Sequence, residues 1–159
     1  MSQEFEIVEA IRLLPTNTIA EALERIGDRY GAIVTVVDSK NRLQGVVSAG
    51  DLRRNILNGH EVSSSLDCVM NAKPVTIGRR DLDNPDSLSS VSDHLKNLYN
   101  VGNMMYAMVP VVDPDKKVLG VANLQSLERH ASGLDIDVAH KSALVVGGAG
   151  FIGSTLTEM

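Results

Sequence analysis

Val34-Thr-Val-Val-Asp-Ser-Lys-Asn-Arg-Leu-Gln-Gly-Val-Val-Ser-Ala-Gly-Asp-Leu-Arg-Arg54 recurs 75 residues later, without a gap, as Val109-Pro-Val-Val-Asp-Pro-Asp-Lys-Lys-Val-Leu-Gly-Val-Ala-Asn-Leu-Gln-Ser-Leu-Glu-Arg129. Eight of the 21 aligned positions are identical, among them Asp38/Asp113, Gly45/Gly120 and Arg54/Arg129. A chain that repeats itself at this length is built from two copies of one supersecondary unit. A pseudo-symmetric pair of units encloses a cleft, and the cleft is where function is expected.

Working outward, each copy reads as a Val-rich strand, a turn, a returning strand and a helix. Ala32 to Val37 is a strand apolar at nearly every position, as strands buried on both faces are. Asp38 to Asn41 carries turn chemistry, Arg42 to Ser48 returns, and Asp51 to Leu57 is helical up to Asn58-Gly59. Upstream, Thr18 with Glu21 three residues on is a capping box for a helix over Ile19–Ile26. In the second copy, Lys73 to Ile77 is extended and Gly78 to Asp86 is a charged loop insertion. Leu88 to Tyr99 is a helix, Met104–Val112 and Val118–Ala122 are strands, and Gln125–Ala131 is the closing helix. Ile7, Ile11 and Leu14 fall at helical spacing, so residues 1–14 are expected to be a helical lead-in that Pro15 stops. Unit 1 then spans 15–70, with Glu61 to Met70 as the link, unit 2 spans 71–132, and 133–140 is a polar linker.

Composition narrows the classes of function. The chain has 159 residues, 43% hydrophobic, and a net charge of -5 without a basic stripe, so a nucleic-acid surface is not expected. The single cysteine, Cys68, leaves no disulfide framework and fits a reducing cytoplasm. Neither a signal peptide nor a membrane-spanning apolar run is read, so a cytoplasmic protein without membrane contact is expected. The four histidines (60, 94, 130 and 140) share no metal-ligand spacing.

The order of helix, Val-rich strand, Asp turn, Gly45-Val-Val-Ser48-Ala-Gly-Asp51-Leu52 and helix resembles the CBS domain, and its doubling over 15–131 resembles a CBS pair, or Bateman module. The resemblance implies an α/β (α+β) fold of two pseudo-symmetric β-α-β-β-α units packed as a pair. It also implies an adenine nucleotide (AMP, ADP or ATP) as regulatory ligand, and a homodimer. The residues allow two readings of Ser48 and Asp51. They can cap the helix that follows, or hold a ribose and phosphate at its N-terminus. Carried over from the family, the nucleotide site joins Ser48 and Asp51 to Pro74, Val75 and Thr76, where relatives bond adenine through the backbone, and to Tyr106, Ala107 and Pro110. Arg53 and Arg54 are candidate phosphate partners. In the second copy Asn123 and Ser126 replace the Ser and Asp, so a second site is expected to be weak or empty.

Residues 141–159 are different in kind. Ala143-Leu-Val-Val146 leads into Gly147-Gly-Ala-Gly150-Phe-Ile-Gly153, a strand followed by a glycine turn and a helix start. That is the context of a dinucleotide-binding turn, a partial Rossmann first strand. It resembles the start of extended short-chain NAD-dependent nucleotide-sugar epimerases and dehydratases. The expectation is a sensing module ahead of such an attached catalytic domain, with NAD used only by the full-length parent and no catalysis in residues 1–159 themselves. The rival expectation is a dimerisation or assembly module that binds nothing.

Overall fold

The computed structural model describes residues 7–29, 31–98 and 107–131. The first unit contains β1 (Ile11–Leu13), α1 (Ile19–Ile26), β2 (Ile33–Val37), β3 (Leu43–Ser48) and α2 (Ala49–Leu57). The second repeats the order as β4 (Ile77–Gly78), α3 (Pro85–Leu98), β5 (Met108–Val112), β6 (Val118–Asn123) and α4 (Leu124–Ala131). Each sheet has three strands with the long hairpin antiparallel and the short leading strand parallel to its first arm, in the orders β1-β2-β3 and β4-β5-β6. The expected fold class of two β-α-β-β-α units is therefore observed.

Local sequence explains the repeated details. Asp38 Oδ1 accepts the N–H groups of Lys40 and Arg42, and Asp113 Oδ1 accepts those of Asp115 and Lys117. Each turn then passes through one left-handed residue, Asn41 and Lys116 respectively. The register of both hairpins shifts at the same place, between Val36 and Val37 and between Val111 and Val112. Helix α1 has the capping box read from sequence: Glu21 Oε2 accepts the Thr18 N–H at 2.6 Å, and Thr18 Oγ1 accepts the Glu21 N–H. These Glu21 bonds, the Thr18 backbone donor foremost, hold its carboxyl below the usual range.

Each unit packs its helices on one sheet around its own core. Ile19, Val34, Val36, Val47, Leu52 and Leu66 fill the first, and Ile77, Leu88, Val111, Leu124 and Leu127 are prominent in the second. A third cluster of Ala10, Val37, Val118 and Val121 joins the two. Polar contacts reinforce this junction. Leu43 N–H donates to Lys116 O, Val118 N–H to Asn41 O, and the Arg12 guanidinium reaches Asn41 Oδ1, Ala10 O and Val118 O.

Two expectations change, and one segment gains a role in packing. The lead-in is extended rather than helical over its described residues, 7–14. Val8 exchanges two 2.9 Å backbone hydrogen bonds with Val121, and Ile11–Leu13 pairs with β2. Ile11 and Leu13 face the first core while Arg12 faces the junction, a period of two; long-range pairing of a β-branched stretch overrides its helix-like spacing. The link from 61 to 70 is part of the first core, because Leu66 and Val69 are buried there and Leu66 N–H bonds to Asn17 O. The supposed insertion after Ile77 holds the end of β4 and a single 3-10 turn, Arg79–Asp81, before α3.

The lead segments of the two units cross between them. Val8 pairs with β6 before the chain enters β1, and Asn71 pairs with Val46 of β3 before the chain enters β4. Gly120 and Gly45 stand at the equivalent crossing points, where an added Cβ would meet the Val8 carbonyl oxygen at 2.6 Å and that of Asn71 at 2.7 Å.

Candidate functional site

A cavity of about 740 Å3 opens between the units, within the size range of small-molecule sites. The first unit contributes the α1–β2 turn from Gly27 to Ile33, Val46 of β3 and the first turn of α2 with Ser48 and Asp51. The crossing segment adds Asn71, Pro74 and Val75. The second unit adds Leu95 and the strand from Ala107 to Pro110. One side is thus apolar and suited to a flat base, while the other is a helix N-terminus, whose first N–H groups lack intrahelical acceptors.

The sequence positions α2 for this role. Strand β3 ends at Ser48 in extended conformation and the helix begins at Ala49. Ser48 Oγ accepts the Asp51 N–H at 3.1 Å and donates to Asp51 Oδ2 at 2.7 Å, and the Ser48 N–H donates to the same oxygen at 2.9 Å. Asp51 Oδ1 accepts from the Arg54 guanidinium. Ser48 and Asp51 therefore form a complete capping box and line the cavity at once, so the two readings of this pair occupy the same atoms.

Of the residues expected at the site, Ser48, Asp51, Pro74, Val75, Ala107 and Pro110 line the cavity. Thr76 does not: it is half-buried in the segment just beyond Val75. Tyr106 lies outside the described residues, as do the 133–140 linker and the glycine turn with Gly147, Gly150 and Gly153. Of the two arginines, Arg54 lines the cavity and Arg53 does not. Sequence reasoning missed Asp28, Arg29, Ile33 and Leu95. The available signal was the pair Gly27 and Gly31, both at positive φ, which turn the chain back over the cleft. In the second unit, Asn123 Oδ1 accepts the Ser126 N–H, so the cap survives without a carboxylate. Among the described residues no cluster of His, Cys, Asp and Glu suits a metal, and no helix is long and apolar enough to cross a membrane.

Comparison with known proteins agrees with this geometry. The family model for the CBS domain matches residues 6–58. No curated protein matches the chain. Among solved structures, the CBS domain pair of protein MJ0100, in complex with 5'-methylthioadenosine and S-adenosyl-L-methionine, is similar at 18% identity with a TM-score of 0.58. That match covers 82% of this chain and 99% of the other. The CBS-pair protein CBSX2 from Arabidopsis thaliana is similar at 20% identity and TM-score 0.58, over 80% of this chain and 92% of its own. The cytosolic domain of the Mg2+ channel MgtE in complex with ATP is similar at 21% identity and TM-score 0.52. There the match covers 74% of this chain and 43% of that one. Residues 6–58 thus match the CBS domain, and the chain has the fold of CBS-pair structures.

Proposed function

We propose that this chain is a regulatory ligand-sensing module that binds an adenine nucleotide (AMP, ADP or ATP) between its two units. The observation that carries the reading is the cavity itself, which gathers Ser48, Asp51, Pro74, Val75, Ala107 and Pro110 from both units and the segment between them. Two structural relatives, with ATP and with 5'-methylthioadenosine and S-adenosyl-L-methionine, support an adenine-bearing ligand. Binding across the cleft would change the relation of the units by as much as the ligand's affinity differs between their arrangements. The resemblance of 141–159 to the start of a nucleotide-sugar epimerase or dehydratase suggests what the module regulates: an attached NAD-dependent enzyme. Calorimetric titration with AMP, ADP, ATP and S-adenosylmethionine tests the reading, with one site per chain expected. Absence of binding by all four at millimolar concentration refutes it.

A second reading is favoured by one observation, the fully satisfied capping box of Ser48 and Asp51. On that reading the pair of units is an assembly device and forms a homodimer without ligand. Light scattering at tens of micromolar, with and without nucleotide, separates the two. A ligand-independent dimer that binds no nucleotide supports assembly alone.

A further inference from the structure

We infer that Arg54 makes the cleft selective for phosphorylated over neutral nucleosides, as the displaceable counter-ion of Asp51; the inference rests on the nucleotide reading above. The argument is a count of acceptor positions. A carboxylate offers about four, and here three donors already converge on Asp51: the Ser48 N–H, the Ser48 hydroxyl and the Arg54 guanidinium. A ribose diol brings two more hydroxyl donors, so at least one present donor has to leave. The two from Ser48 are tied to the helix cap, one of them being backbone. Arg54 is held least, with 70% of its side chain exposed and its stem free to turn about its own bonds.

Displacement leaves the guanidinium without its carboxylate partner at the edge of the cavity. A phosphate bound in the same cleft supplies a new one, in the bidentate geometry that guanidinium groups favour. A neutral nucleoside supplies none and binds at the cost of the Asp51–Arg54 pair. Arg29 lines the same cavity from the α1–β2 turn, beside Asp28 and with its guanidinium on the Arg25 carbonyl oxygen, so the lining's two arginines are balanced by two aspartates until Arg54 is released from Asp51. The second unit is a natural control. Ser126 stands where Asp51 does in the first copy, and the equivalent Arg129 donates to the Gln125 backbone carbonyl instead. The carboxylate, rather than the helix, therefore accounts for the position of Arg54.

The test is calorimetric titration of the full chain, wild type and Arg54→Gln, with AMP and with adenosine. Wild type should prefer AMP. In Arg54→Gln the AMP affinity should fall about tenfold, the loss of one charge-assisted pair, while adenosine affinity holds or rises. Raising sodium chloride should weaken AMP binding more in wild type than in the variant. Equal losses for both ligands, or no loss for AMP, overturn the inference while leaving the nucleotide reading intact. If wild type binds neither ligand, the nucleotide reading falls and takes the inference with it. Matching circular dichroism and melting of the two proteins confirm that the variant folds.

Discussion

Gly45→Ala should be among the most disruptive single-methyl changes in this chain. Its backbone is not in the left-handed region, so alanine meets no dihedral penalty there, and loss of unfolded-chain entropy should favour it by about 0.4–1 kcal/mol. Contact decides the sign. The new Cβ would lie 2.7 Å from the Asn71 carbonyl oxygen, against an ordinary contact of 3.4 Å or more. The Met70 sulfur, also at 2.7 Å, can move aside on its flexible stem, but the Asn71 carbonyl is backbone. A retreat of about 0.7 Å along the direction of the Val46 N–H bond, now 3.0 Å, carries it past hydrogen-bonding range. The return bond from Asn71 N–H to Val46 O, at 2.9 Å, is disturbed with it. Overpacking of this kind costs about 1–3 kcal/mol, and two weakened backbone bonds add about 1–3 kcal/mol. After the entropic gain, about 1–6 kcal/mol of destabilisation remains. Urea unfolding followed by circular dichroism should show the midpoint fall with an unchanged slope. Because Asn71 and Pro74 line the cleft, nucleotide affinity should fall too. A midpoint equal to wild type or higher would mean the crossing segment is not seated against β3, and the described junction would be wrong.

Gly50→Ala is the counterpart: its Cβ would meet only Ser48 Oγ, at 3.7 Å. Placed in a helix it should stabilise by about 0.5–1 kcal/mol, read from the same urea midpoint, and a lower midpoint counts against the open geometry. Arg12→Ala should cost about 1–3 kcal/mol through its lost charged hydrogen bonds, and Arg12→Lys should recover little, since a point charge cannot span three acceptors; full recovery by lysine refutes the clamp. Asp51→Ala should weaken adenine-nucleotide binding about ten- to a hundredfold, whereas Ser126→Ala should leave it alone; the reverse pattern places the ligand in the other unit. For acid stability, the Arg42 N–H foremost holds the Asp38 carboxyl below its usual value of 3.8, with Arg42 and Lys40 reinforcing it. A depressed folded-state value means stability that is present above about pH 4 and lost as pH falls through the folded value. Asp38→Asn should therefore flatten the acid limb of a melting-temperature profile, and an unaltered limb refutes that role.

What could be read from sequence was whatever local chemistry specifies. The doubled Asp turns, the capping box at Thr18 and Glu21 and the strand-to-helix step at Ser48 all depend on residues within five positions, and all stand as expected. The lead-in was misread because Ile7, Ile11 and Leu14 satisfy a helical spacing, while the partners that make the segment extended, Val121 for Val8 and Val34 for Ile11, are far along the chain. How the link packs was not legible for the same reason: Leu66 looks isolated in sequence until α1 is folded beneath it. At the site, Ser48 and Asp51 were visible because the first copy keeps the Ser-x-x-Asp pattern at a strand-to-helix step. Leu95 and Ile33 were not, because only the packing of one unit on the other brings them to a common cavity.

The crossing of the lead segments makes the chain an intramolecular domain swap. Each half depends on a strand-like arm whose neighbour in sequence belongs to the other half: Val8 serves β6, and Asn71 serves β3. Cut apart, each half would keep a core but lose the arm that covers its glycine crossing point. Covalent linkage now supplies that arm at an effective concentration in the millimolar range typical of short connections. Two chains could exchange arms with no new contacts, and a shortened 72–76 stretch, which joins Asn71 to β4, would favour that exchange over closure within one chain. Dimers formed this way would interconvert with monomers only through unfolding, and slow, concentration-dependent exchange would distinguish them from a surface-to-surface dimer.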